Sequence, residues 1–267
     1  MAAILACACA AAAAGPLEDG LAAYARGDYA AALRLWRPLA EQGDAAAQFD
    51  LGRMYDNGQG VPQDYAAAAA WYRRSAEQGN AKAQFSLAAD YDSGQGVAQD
   101  FAAAARWYRK AAEQGEANAQ SYLGYMYFHG EGVEQDYAAA ASWYRRAAAQ
   151  GHIKAQYNLA LMFHDGQGVA QDYAEAALWF GKAAEQGNAG AQLFLGTMFS
   201  KGQGLVRDDV QALKWLSLAA ARLPEADPNL EVASRNRDTL AARMTPEQLA
   251  AAEKLVRDWK PLRQQGE

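Results

Sequence analysis

The stretch AAQFDLGRMYDNGQGVPQDYAAAAAWYRRSAEQG, residues Ala46 to Gly79, decides the fold, because variants of it return four more times at a spacing of 36 residues. Gln48, Gln84, Gln120, Gln156 and Gln192 keep that spacing. So do Gly58, Gly94, Gly130, Gly166 and Gly202, their partners Gly60, Gly96, Gly132, Gly168 and Gly204, and Trp71, Trp107, Trp143, Trp179 and Trp215. Five full units therefore run over 44–223. A shortened unit over 17–43 precedes them, since Gly27-Asp28-Tyr29 aligns with the end of the long loop and Glu41-Gln42-Gly43 with Glu77-Gln78-Gly79. A fixed period of this length is the mark of a repeat architecture.

Within the quoted unit, Ala47, Leu51 and Tyr55 recur at i, i+4 and i+8 and predict a first helix from about Ala46 to Asp56. A glycine or alanine follows the central leucine in every full unit: Gly52, Ala88, Gly124, Ala160 and Gly196. Repeated smallness inside a helix predicts close approach of a neighbour. Gly58 is placed for a left-handed helix cap. Asp64 suits the N-cap of a second helix, where its carboxylate accepts from a free backbone N–H. Ala68, Trp71, Tyr72 and Ala76 then form that helix's apolar stripe, and Gly79 ends it.

One helix pair cannot cover both sides of such a stripe, whereas stacked pairs can. The expected fold is an all-α superhelical solenoid of helical-pair repeats. The pattern fails at Leu223-Pro224, and residues 224–267 read as a C-terminal helical cap. Thr245-Pro246-Glu247-Gln248 has the signature of a helix start with a capping box. Leu249, Ala252, Val256 and Trp259 give the cap an apolar stripe.

Composition agrees with helices. The 267 residues include 66 alanines, the best helix former, and only 7 prolines. The net charge is -6, and the basic stripe that nucleic-acid binding normally needs does not appear in the sequence. No apolar run reaches the ~18 residues that would cross a bilayer. The only cysteines, Cys7 and Cys9, lie in the run MAAILACACAAAAA. That run, residues 1–14, reads as the back half of a secretory signal peptide whose basic start is missing, with a weak lipoprotein box at Cys7. Export to a periplasmic or secreted location follows from it, with a cytoplasmic location as the alternative.

The unit A-x-A-Q-x-x-L-G-x-M-Y-x-x-G-Q-G-V-x-Q-D-Y-x-x-A-x-x-W-Y-R-x-A-A-E-Q-G resembles the Sel-1-like repeat, a longer-looped relative of the tetratricopeptide repeat. The resemblance covers about Leu17 to Leu223. It implies an α/α superhelix with a concave groove lined mainly by first helices. It also implies an adaptor that holds protein complexes together, often in bacterial envelopes or in signalling. Some cysteine-rich exported members are described as penicillin-binding or β-lactamase-like, with a disulfide in each repeat. This chain has no repeat cysteine, which sets it apart from that cell-wall or β-lactam hydrolase alternative.

Catalytic and cofactor motifs are not assembled. Gly58-Gln59-Gly60 lacks the third glycine and the preceding strand of a dinucleotide loop. Asp56-Asn57-Gly58-Gln59-Gly60 lacks the alternating oxygen ligands of a calcium loop. His129 and His164, at nearly equivalent repeat positions with Asp165 beside the second, are read as loop-edge histidines rather than metal ligands. The carboxylates of the Glu-Gln-Gly helix ends recur in unit after unit, and catalysis needs one site, not five. The expectation is a protein without catalytic residues, cofactor or metal.

Variation between units is the better guide to binding. The fourth unit's first helix carries Tyr122 and Tyr125 where the second has Asp50 and Arg53, and His129 continues the row. Arg53, Asp90, Asn158 and Leu161 are assigned to comparable positions in other units. Exposed tyrosines in a groove are typical of binding hot spots. The predicted partner is therefore a protein or peptide segment, received by a monomer, with no nucleic acid and no membrane insertion.

Overall fold

The computed structural model of the chain describes residues 15–262. The N-terminal run with Cys7 and Cys9 lies outside the described residues. Among the described residues there are fourteen helices and no strand. The pairs are α1 (Pro16–Ala25) with α2 (Tyr29–Glu41), α3 (Ala45–Asn57) with α4 (Tyr65–Glu77), α5 (Ala81–Ser93) with α6 (Phe101–Glu113), and α7 (Ala117–His129) with α8 (Tyr137–Ala149). They continue with α9 (Ile153–Asp165) and α10 (Tyr173–Glu185), then α11 (Ala189–Lys201) and α12 (Asp209–Arg222). The C-terminal cap is α13 (Pro228–Ala241) and α14 (Pro246–Asp258). The chain forms two compact units, residues 1–111 and 112–267.

The caps follow the sequence. Asp44, Asn80, Glu116, His152 and Asn188 cap the first helices, each accepting from a backbone N–H of the first turn. Asp64, Asp136, Asp172 and Asp208 do the same for second helices. Each satisfies a donor that the helix cannot satisfy internally. Gly58 closes α3 at φ 66°, the left-handed conformation the loop requires. Thr245 and Gln248 form the full capping box of α14.

In the first unit, Ala47, Leu51 and Met54 of α3 are buried with Trp36 of α2. A methyl on Gly52 would lie 2.7 Å from the Tyr72 ring, so the small residue lets α4 approach α3. The same relation recurs in the second unit, where Gly124 meets Tyr144 and Gly196 meets Leu216. Tyr72 is buried as the stripe predicts, but Trp71 is half-buried, with the Arg74 guanidinium 4.6 Å over its ring. Trp143 and Trp179 are stacked likewise by Arg146 and Lys182. These tryptophans gain a cation on their outer face as well as a core on the inner one.

Buried glutamines join repeats. Gln48 Nε2 donates to the Ala40 carbonyl at 3.0 Å, across the step from one helix pair to the next. Gln84, Gln120, Gln156 and Gln192 repeat the bond to Ala76, Ala112, Ala148 and Ala184. Their own carbonyl oxygens accept in turn: Gln78 donates to Gln48, Gln150 to Gln120 and Gln186 to Gln156 at 2.7–2.8 Å. The periodic glutamine is thus a buried inter-repeat clamp, with both ends satisfied at Gln48, Gln120 and Gln156.

The cap covers the last repeat. Ala233, Leu240, Met244 and Ala252 share a core with Leu213, Leu216 and Ala219, and Leu249 packs on it. Trp259 meets Trp215 edge-on, and beyond it Leu262 N–H donates to the Glu185 carbonyl. Among the described residues no helix is long and apolar enough to cross a membrane.

Candidate functional site

The predicted row divides between the two units. In the second, Tyr122 and Tyr125 are the partly exposed aromatics of α7, at 41% and 42%. His129 is exposed one turn further, its ring 4.2 Å from the Tyr125 ring. Phe128 touches His129 and Tyr137, which steadies the end of the helix. On α9, Asn158 and Leu161 are half-buried. The Tyr144 hydroxyl of α8 is held well above the usual phenol range by burial. A hydrogen bond with Asn158 opposes that shift, and proximity to Tyr125 adds to it. Asn158 of α9 is thus within hydrogen-bond reach of the Tyr144 hydroxyl, with Tyr125 nearby.

In the first unit, Arg53 is engaged within the chain. Its guanidinium pairs with Asp50 at 3.0 Å, donates to the Tyr24 hydroxyl at 3.2 Å, and lies over the Tyr24 and Phe49 rings. Burial raises the Asp50 pKa and Arg53 pulls it back.

Asp90 does not belong to this row. It stands 36 residues after Met54 and 36 before Met126, in the register of the buried methionines, and is 9% exposed. Its Oδ2 has no hydrogen-bond partner. Burial, then the neighbouring Asp56 carboxylate, push its pKa up to about 7. The expected exposed groove position is corrected to a core position occupied by a carboxyl group.

The histidines have separate roles. His164 Nδ1 is 2.6 Å from Asp165, and its ring packs edge-on against Tyr173 and Phe194. His152 is the N-cap of α9, with Nδ1 accepting from Ala155 N–H at 3.2 Å. Among the described residues no three His, Cys, Asp or Glu side chains are grouped as for a metal ion.

The family model of the Sel1 repeat matches six consecutive segments, residues 8–44, 45–80, 81–116, 117–152, 153–188 and 189–222. The chain belongs to the Sel1 repeat family. Among solved structures it is similar to a Sel1 repeat protein from Oxalobacter formigenes, at 33% identity over 91% of this chain and 100% of that one, with a TM-score of 0.78. It is also similar to c5321, a protective antigen of uropathogenic Escherichia coli displaying an SLR fold, at 26% identity over 91% and 75% of the two chains, TM-score 0.46. A third is the immunity protein PA5088 from Pseudomonas aeruginosa, at 20% identity over 87% and 88%, TM-score 0.43. The comparison with curated proteins gave no match. Sel1 repeat proteins are generally protein-interaction scaffolds.

Beyond the predicted row, the last Sel1 repeat and the cap enclose a cleft of about 250 Å³. Thr197, Ser200 and Lys201 of α11 form one wall, and Arg235, Asn236 and Thr239 of α13 the other, with Arg243 at its edge. Sequence reading missed this cleft. Lys201 could have been found, since it stands two periods after His129 in the same row. The α13 residues lie outside the repeat and carry no periodic signal.

Proposed function

We propose that this Sel1 repeat protein is a non-catalytic adaptor that binds a protein or peptide segment across its first helices. Tyr122, Tyr125 and His129 form the anchor, and Asn158 and Leu161 form the adjoining wall. The observation that supports this is the exposure of two tyrosines on one row of α7, continued by an exposed histidine whose ring lies 4.2 Å from that of Tyr125. Tyrosine supplies contact area at low conformational cost, and a pre-formed helical face needs little ordering when it binds. Arg53 belongs to the corresponding row in the first unit. The N-terminal run supports an envelope location, where such an adaptor works as a monomer.

The test is capture on the immobilised chain from Gly15 onward, in parallel with a Tyr122→Ala, Tyr125→Ala variant that melts at the same temperature. A partner purified from the retained fraction should bind the unmodified chain in calorimetry and lose at least tenfold affinity for the variant, the effect of about 1.4 kcal/mol. Equal binding by both proteins would remove the tyrosines from the site. Fractionation of the native cells tests the envelope location.

A further inference from the structure

The cleft at the end of the second unit gathers basic and hydroxyl side chains. Lys201, Arg235 and Arg243 converge on it, with the hydroxyls of Thr197, Ser200 and Thr239 between them. The acids recorded in ion pairs beside it are already engaged: Asp209 by Arg207 through two bonds of 2.9–3.0 Å, with Arg243 approaching at 3.7 Å, and Asp238 by Arg237 at 2.8 Å. Arg243 is steadied by Ser200 at 3.3 Å. Among the described residues Lys201 and Arg235 have no carboxylate partner within ion-pair distance. A concentration of unspent positive charge, in a chain whose net charge is -6, is placed to attract an anion.

Its location identifies the kind of anion. Thr197 and Lys201 stand two periods after Tyr125 and His129, so they continue the row of the aromatic patch. Phe194 bridges α11 to α9 through ring contacts with Tyr157 and His164, so these first helices are neighbours. Two helix-to-helix steps span about 20 Å. An extended peptide covers that in about six residues. We propose that the cleft receives a side-chain carboxylate of the same partner segment that the tyrosines anchor. The adaptor's target is then an acidic segment, with its Asp or Glu about six residues from its apolar anchor. The guanidinium forks of Arg235 and Arg243 fit a carboxylate, with Lys201 as a compact third charge. This inference rests on the adaptor reading for its occupant and on the cleft alone for its chemistry.

The experiment titrates the full chain with N-acetyl-Glu-Glu-Glu-amide, N-acetyl-Gln-Gln-Gln-amide and inorganic phosphate, following the arginine side-chain N–H resonances by NMR. The acidic peptide should shift the Arg235 and Arg243 signals, and the glutamine peptide should leave them in place. A Lys201→Gln, Arg235→Gln variant, which spares the Arg243 contacts, should bind the acidic peptide about fivefold more weakly. The response should disappear at 1 M salt. Equal shifts from both peptides, or undiminished binding by the variant, would overturn the proposal. A response to phosphate without one to the acidic peptide would overturn it too, assigning the cleft to free phosphate. The Tyr122→Ala, Tyr125→Ala protein separates the two readings. If it binds the acidic peptide normally while no partner is found for the unmodified chain, the adaptor reading fails and the carboxylate site stands. If a partner is lost with the tyrosines but retained in full by Lys201→Gln, Arg235→Gln, this inference fails alone.

Discussion

Arg222 occupies the register place of the glutamine that would satisfy Gln192, and it turns away to lie 4.4 Å over the ring of Trp259. Earlier repeats fill that place with Gln78, Gln150 and Gln186, each donating to the clamp glutamine of its repeat. At the last repeat the Gln192 carbonyl oxygen is buried without a partner. The substitution marks where the array stops propagating and the cap begins. The cation that replaces the glutamine holds the C-terminal tryptophan instead.

The clamp glutamines should therefore differ in worth. Gln156→Met removes a carbonyl that Gln186 uses, leaving that amide its 3.3 Å bond to the Lys182 carbonyl, whereas Gln192→Met removes a carbonyl that is already unsatisfied. Both lose the amide bond to the preceding alanine. A hydrogen bond contributes about 0.5–1.5 kcal/mol net, so Gln156→Met should destabilise by about 1 kcal/mol more than Gln192→Met. Urea unfolding of the two variants measures the difference, and equal midpoints would refute the clamp.

His152 gives stability a pH dependence. Its Nδ1 must be unprotonated to accept from Ala155 N–H. Burial lowers its pKa from 6.5; Glu116 opposes that shift and Lys154 adds to it. The folded state thus binds fewer protons than the unfolded state. The stabilising effect is full above pH 6.5 and is lost as pH falls below it. His152→Asn, the residue that caps α5 and α11, should flatten this dependence. Thermal melts of both proteins between pH 7.5 and 5 test it: an unchanged slope in the variant would exclude His152 as its source.

How much of this was legible in the sequence depends on periodicity. The 36-residue repeat carried the helix pairs, both cap types, the close approach at Gly52 and the end of the array at Leu223. It also exposed Tyr122, Tyr125 and His129 as departures from their counterparts. Asp90 was misplaced because a polar residue was read as exposed, while its register belongs to the core methionines. The Gln78 family was read as a helix end, since its bond to Gln48 joins residues 30 apart and leaves no local pattern. Trp71 was placed in the apolar stripe with Tyr72, and nothing in such a stripe reveals that Arg74 will cover its outer face. Arg235 and Arg243 belong to α13, which has no repeat against which to compare them.

Asp90 has the opposite pH sign. Its folded pKa is raised from 3.8 to about 7, so the folded state binds the extra proton between those values. Stability from this group is greatest below pH 3.8 and declines as pH rises toward 7. Asp90→Met restores the methionine of the other repeats and removes an unpaired buried oxygen. It should stabilise the protein by about 1 kcal/mol at pH 8 and by less at pH 5. Chemical unfolding at the two pH values decides it; a variant less stable than the parent at pH 8 would show that the carboxyl group is needed where it stands.

A loop glycine and a glycine at the end of a second helix should separate by their surroundings rather than by their backbone angle alone. Gly168 has φ 68°, and a methyl there would lie 2.3 Å from the Tyr137 carbonyl, against the start of the preceding second helix. Gly151 has φ 89° with nothing within 4 Å of the same added atom. Gly151→Ala should cost about 1–2 kcal/mol, the strain of a left-handed residue. Gly168→Ala adds a clash with a neighbouring repeat's backbone, which cannot rotate aside as a side chain can, and its total should exceed about 4 kcal/mol. Parallel denaturation curves give both numbers. Similar costs would mean that the second loop glycine serves the turn alone; the larger loss at Gly168 would establish it as the point where one repeat's loop rests on the backbone of the last.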